Sequence, residues 1–126
     1  MPIHIDFFHP NRLAIIVARG EVTMTDVGEA ARTMLESNAL HYRKIVDVSS
    51  PSTPMKNESL EKLAAMMRSA PNATKRGPLA IIVGDDDKAG RAEEFAALTA
   101  SERPVKVFRS LHEARRWLEQ QPLGQL

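Results

Sequence analysis

The chain has 126 residues, 43% of them apolar, and its 17 basic residues nearly balance 16 acidic ones to leave a net charge of +1. That size suits one domain with one core, and the balanced charge excludes a disordered or polyanion-coating class, so no nucleic-acid partner is expected. The absence of cysteine rules out disulfides, thiolate metal sites and cysteine nucleophiles. No apolar run approaches the ~18 residues of a membrane span, and Met1 to Asp6 lacks a signal-peptide pattern, so a cytoplasmic protein without membrane insertion is expected.

Ile3, Ile5 and Phe7 alternate with His4, Asp6 and Phe8, the period of a half-buried outer strand, and Pro10-Asn11 supplies a turn. Leu13 to Ala18 is continuously apolar and β-branched at Ile15, Ile16 and Val17, as in a strand covered on both faces. The short turn makes the two an antiparallel hairpin. After Gly20, Thr23 and Asp26 form a capping-box pattern ahead of Val27, Ala30, Ala31, Met34 and Leu35, which predicts a helix over about residues 24 to 36.

A third strand is expected at Ile45, Val46 and Val48, and it runs into Asp47-Val48-Ser49-Ser50-Pro51-Ser52-Thr53-Pro54. A second helix then carries Leu60, Leu63, Ala64 and Met67 on one stripe. Leu79 to Val83 reads as an interior strand ending at Gly84 and three aspartates, one of which caps a third helix with Ala89, Ala92, Phe95 and Ala96 inward. Val105, Val107 and Phe108 form the fifth strand. Ser110 and Glu113 match a full capping box for a last helix with Leu111, Ala114, Trp117 and Leu118 on its apolar face.

This order predicts an α/β domain: a mainly parallel five-stranded sheet with one antiparallel outer strand, four helices and right-handed crossovers. The domain is expected over residues 1–119, with 120–126 as a C-terminal tail. In open α/β sheets the strand C-termini carry the binding loops. Asp47 to Thr53, Gly84 to Lys88 and Arg109-Ser110 are therefore placed on one rim.

Ala18-Arg19-Gly20-Glu21-Val22-Thr23, Ile45-Val46-Asp47-Val48 and the run Val105-Lys106-Val107-Phe108-Arg109-Ser110-Leu111-His112-Glu113-Ala114-Arg115-Arg116-Trp117-Leu118 carry a resemblance. The chain resembles the STAS superfamily, the sulfate-transporter and anti-sigma-factor-antagonist domains, and more closely its small bacterial STAS/SEC14-like branch. The resemblance covers nearly the whole chain. It implies a (βα)n superhelical domain with helices mainly on one side of the sheet, used for protein docking or ligand sensing rather than catalysis. Anti-sigma antagonists carry a phosphorylatable serine in an Asp-Ser-Ser/Thr-Gly stretch at the start of the second helix. The corresponding segment here reads Thr53-Pro54-Met55-Lys56-Asn57-Glu58-Ser59, so that phosphosite does not transfer.

The candidate binding rim comprises Asp47, Ser49, Ser50, Ser52, Thr53, Asp85, Asp86 and Arg109. A phosphate on one of the hydroxyls would add roughly −1.5 to −2 charge near a helix N-terminus, although turn and N-cap preferences alone account for these residues. Asp85, Asp86 and Asp87, with Asp47 near, have the hard oxygens that suit Mg²⁺ or Ca²⁺, but a solvated capping loop explains them too, and no metal site is assigned. His4 and Asp6 share one strand face, with His9, His41 and His112 elsewhere, and read as exposed outer-strand residues lacking a third ligand. Met55 and Met66 are candidate interface residues beside the second helix.

No nucleophile-elbow, zinc-protease, P-loop or Rossmann pattern occurs, so no catalytic residue and no cofactor is assigned. The leading expectation is a non-enzymatic regulatory module that binds a protein partner, an anti-sigma-type or other regulator. The alternative is a small-molecule or lipid sensor with a pocket opening at the rim, where Asp47 or Arg109 orients a polar head group. A third reading is a metal-dependent enzyme using the aspartate cluster.

Overall fold

The structure, a computed structural model, describes residues 3–50, 76–99 and 103–123. The chain enters as β1 (Ile3–Phe8), turns through a 3-10 segment (His9–Asn11) and returns as β2 (Leu13–Ala18). Arg12 closes that turn in the left-handed region at φ 50°, donating its backbone N–H to His9 O at 3.1 Å. Then follow α1 (Met24–Glu36), β3 (Arg43–Asp47), β4 (Leu79–Ile82), α2 (Asp86–Thr99), β5 (Val105–Phe108) and α3 (Leu111–Glu119). Three α-helices rather than the expected four are present among the described residues. The helix expected around Leu60, Leu63, Ala64 and Met67 lies outside them.

The five strands lie in sequence order, β1-β2-β3-β4-β5. β1 is antiparallel to β2 and every later pair is parallel. The hairpin and outer-strand expectations both hold, since Ile3 to Phe8 pairs residue for residue with Ala18 to Leu13. β3 starts two residues earlier than expected, at Arg43, and ends at Asp47, one residue before Val48, but the Val48 N–H still donates to Ile82 O at 2.9 Å.

Register sorts the side chains into two layers, because alternate residues of paired strands share a face. Ile16, Val46, Ile81 and Val107 lie in one row across β2 to β5. On that face Met34 of α1 packs with Ala14 and Ile16, and Ala92 and Phe95 of α2 pack with Leu79, Ile81 and Val83. On the opposite face Ala114, Trp117 and Leu118 of α3 meet Leu13, Ile45, Ala80, Ile82 and Phe108, with the Phe108 and Trp117 rings 5.7 Å apart. Two of the three described helices, α1 and α2, share a side. β4, buried at all four positions, has hydrophobic partners on both faces; β2 is less enclosed, with Ile15, Ile16 and Val17 only half-buried.

The helix ends show why α1 starts where it does. Thr23 and Asp26 make both halves of the capping box: the Thr23 side chain accepts from the Asp26 N–H at 3.2 Å and Asp26 Oδ2 accepts from the Thr23 N–H at 2.9 Å. At α3 only the Ser110 half forms, with Ser110 Oγ accepting from the Glu113 N–H at 3.1 Å. Two stripe residues depart from expectation: Leu35 is 53% and Leu111 46% exposed. Leu35 falls in the last turn of α1, and Leu111 is the first residue of α3, where the chain has not yet reached the sheet. The tail is tied at its start, since Arg43 Nε and Nη2 both donate to Gln121 O, at 3.0 and 2.7 Å.

At the N-terminal end of the parallel strands the packing is tight. A Cβ on Gly77 would collide with the backbone carbonyls of His41 and Tyr42, so only glycine lets this segment approach β3 so closely. Beside it Lys44 is buried, and its Nζ donates to Leu40 O at 2.6 Å and Tyr42 O at 3.0 Å. Burial, and then the nearby Arg103 and Arg76, push its pKa down to about 7. His41 is also lowered, first by burial and then by Arg12 and Lys44.

The Lys44 shift has a definite sign. Unfolded lysine keeps its proton to about pH 10.4, so between pH 7 and that value the unfolded chain binds more protons and Lys44 makes the fold more stable as pH rises. The contribution is up to ~1.4 kcal/mol per pH unit. Urea unfolding at pH 7 and pH 9 should show this gain in the natural chain and a flatter response in Lys44→Met. An equal pH response in both would refute the assignment.

Candidate functional site

The strands β3, β4 and β5 end together, and their C-terminal loops converge as the sequence anticipated. Asp47 closes β3 and turns its carboxylate back on the chain: Oδ1 accepts from the Ser49 N–H at 2.9 Å and from Ser49 Oγ at 2.6 Å. A short acidic side chain that bonds two residues ahead fixes an Asx-type turn. Asp47, Ser49 and Ser50 are all half-buried, so this turn is packed rather than freely solvated.

The loop after β4 lies directly against it. A Cβ placed on Gly84 would come within 2.7 Å of Ser49 O, closer than packed atoms allow, which explains glycine at this crossing. Asp85 then starts α2, with Oδ1 accepting from the Lys88 N–H at 2.8 Å. This is the expected aspartate cap, and it satisfies a backbone donor that the first turn leaves open.

Lys88 is the residue whose role the sequence did not reveal. It is 8% exposed, and its Nζ reaches across to the β3 loop, donating to Val48 O at 3.0 Å and Ser50 O at 2.5 Å. One side chain thus stitches α2 to the end of β3. From the end of β5 Arg109 completes the ring, donating through Nη1 to Asp86 Oδ1 at 2.7 Å and through Nη2 to Gly84 O at 3.1 Å. That pair is exposed, with Arg109 at 52% and Asp86 fully open, so water screens it and it serves mainly to orient. Arg91 and Asp87 make a further ion pair one helical turn apart, at 3.6 Å.

Of the sequence-derived rim, Asp47, Ser49, Ser50, Asp85, Asp86 and Arg109 come together in one hydrogen-bonded ring of loops. Ser52, Thr53, Met55 and Met66 lie outside the described residues. No group of three or more histidine, aspartate or glutamate side chains among the described residues is arranged to hold a metal ion. Asp85 and Asp86 diverge, one to the helix cap and the other to Arg109. His4 and Asp6 do pair, with Nε2 to Oδ1 at 3.0 Å, on an exposed strand face.

A groove of about 240 Å³ opens between β1 and α1, lined by Ile3, Ile5, Ala30 and Thr33 with His4, Asp26 and Glu29 at its sides. It lies at the sheet's outer edge, not over the rim where a sensor pocket was expected. No described helix is long and apolar enough to cross a membrane.

The chain matches no family model, and no curated protein is similar to it. It is similar in structure to an uncharacterised DUF3478-family protein with a SpoIIAA-like fold from Shewanella loihica PV-4, at a TM-score of 0.65 and 16% identity over 92% of this chain and 91% of that one. At that identity the likeness concerns the fold. The architecture is SpoIIAA-like, the STAS type that the sequence resembles.

The crossing at Gly84 yields a paired test. Gly84→Ala forces backbone apart and should cost about 1–3 kcal/mol of stability. Gly90→Ala, in α2 with nothing within 4 Å of the added methyl, should gain about 0.5–1 kcal/mol by helix propensity. Urea unfolding of the two variants should move in opposite directions. Equal behaviour would contradict the described contact between the loops.

Proposed function

We propose that the chain is a non-enzymatic regulatory module that docks a protein partner on the rim formed by the loops after β3, β4 and β5. One observation carries this reading: the polar side chains that a catalyst would keep for substrate are spent on holding the rim together. Asp47 is turned onto Ser49, Asp85 onto its helix, Lys88 onto two carbonyls and Arg109 onto Asp86 and Gly84. What faces solvent is a pre-shaped surface with exposed carboxylates at Asp85, Asp86 and Asp87 next to Arg109. A rigid surface loses little entropy on binding, which favours docking.

The partner suited to such a surface presents basic side chains to the aspartates and an acid to Arg109. The resemblance to anti-sigma-factor antagonists makes an anti-sigma-type or other regulator the class to test first. The phosphoserine cycle is not part of the proposal, because the Asp-Ser-Ser/Thr-Gly stretch is absent from this sequence. A small-molecule or lipid sensor remains the alternative reading, and native mass spectrometry separates the two: a co-purifying ligand of a few hundred daltons favours the sensor.

The docking reading is tested by quantitative capture on the immobilised chain from its cell lysate. A stoichiometric partner should be retained by the natural chain and by Glu36→Lys, placed at the far end of α1. Asp86→Lys and Asp87→Lys should each weaken retention at least tenfold. Turnover of a metabolite by the purified chain, with rate lost in Asp47→Ala, would overturn the proposal.

A further inference from the structure

The two ends of the sheet are unlike. β5 is four residues long and carries Lys106 at its centre, with Nζ 5.6 Å from the Phe108 ring centroid. A short edge with an exposed lysine is the usual protection against pairing with another chain. β1 is six residues long, pairs with β2 without a bulge, and contains neither lysine nor proline between Ile3 and Phe8. Its outer N–H and C=O groups therefore form a straight edge with which no described strand pairs.

The sequence of that edge is self-complementary. Two copies related by a twofold axis normal to the sheet pair antiparallel, and each residue keeps its face, so only registers centred on a residue are allowed. Centring on His4 opposes two histidines, and centring on Asp6 opposes two carboxylates. Centring on Ile5 sets His4 against Asp6 of the second copy, twice, and sets Ile3 against Phe7 of the second copy, also twice. Cross-strand pairs of opposite charge and of large apolar groups are the stabilising kind, while like charges directly opposite are destabilising.

The same register brings Phe7 of the second copy to the Ile3 end of the groove between β1 and α1, where Ile5, Ala30 and Thr33 supply its wall. Asp26 on that wall is already engaged in the helix cap with Thr23. The aromatic ring thus has an apolar place to go, and pairing covers both the strand edge and the groove.

We propose that β1 is a self-association edge, at which two copies of this chain join antiparallel about Ile5 into a continuous ten-stranded sheet. The rim loops follow β3, β4 and β5, so the pairing leaves them uncovered.

The chain has no cysteine of its own, which makes single-cysteine crosslinking clean. Directly opposed residues come within about 4.5–5.5 Å between Cα atoms, inside disulfide reach. Under mild oxidation Ile5→Cys should crosslink to itself. Ile3→Cys and Phe7→Cys should crosslink only when mixed with each other. Sedimentation of the full chain should give a dimer of about twice the 14.0 kDa chain mass. Asp6→Lys should weaken it at least tenfold, and His4→Lys, which sets a permanent cation against Asp6, should tighten it severalfold. Both positions are exposed, so the variants should keep the circular dichroism of the natural chain. A monomer at all concentrations, or crosslinking strongest at position 4 or 6, would overturn the proposal, and so would a chain whose β1 pairs instead with a separate strand peptide.

Discussion

The rim depends on one side chain. Lys88 Nζ lies beneath the loops and donates to Val48 O and Ser50 O, two carbonyls that lie beyond the last residue of β3 and no longer belong to the sheet ladder. Carbonyls at a packed loop need donors, and leaving one without a partner costs about 1–3 kcal/mol. Because Lys88 also sits in the first turn of α2 with its backbone N–H on Asp85, the position of the β3 loop is set by the start of the helix. Gly84 makes the approach sterically possible and Arg109 adds the end of β5 to the ring.

At the other pole of the sheet a second buried lysine has a different effect. Lys44 also donates to two carbonyls, but burial, and then the nearby Arg103 and Arg76, lower its pKa. Its charge costs the fold free energy near neutral pH instead of completing a polar ring. Here the sheet closes on Gly77 and the His41 to Tyr42 segment, where Tyr42 also meets His9, with its hydroxyl 2.6 Å from Nδ1. This end is tightly packed, while the opposite end carries the polar loops after β3, β4 and β5, the end at which sites generally lie in open α/β sheets.

Much of the architecture was legible because it rests on local pattern. Alternation in Ile3 to Phe8 identified the outer strand, the unbroken apolar run Leu79 to Val83 the fully buried one, and Thr23 with Asp26 placed the start of α1 at the right residue. Local pattern misled where tertiary context decides. Leu35 and Leu111 sit on apolar stripes but at helix ends that the sheet does not cover. Glu113 has the right spacing for a reciprocal cap and does not make it. The rim was located from strand order, but its chemistry was not legible. Nothing in the run Asp85-Asp86-Asp87-Lys88 tells that the aspartates face outward and the lysine inward, because that follows from the loop brought next to it some forty residues earlier in the chain. A basic residue three positions after a capping aspartate was the only local hint.

Lys88 holds the β3 loop in place through Val48 O and Ser50 O without being needed for the sheet itself. Hydrogen exchange on the natural chain and on Lys88→Met measures this directly. The amides of Val48 and Ser49, one bonded to Ile82 O and the other to Asp47, should lose protection in the variant by about tenfold or more, as expected for a lost interaction above ~1.4 kcal/mol. Those of Ala80 and Ile81 in β4 should stay as slow as before. Unchanged protection at Val48 and Ser49, or a uniform loss that includes β4, would contradict it.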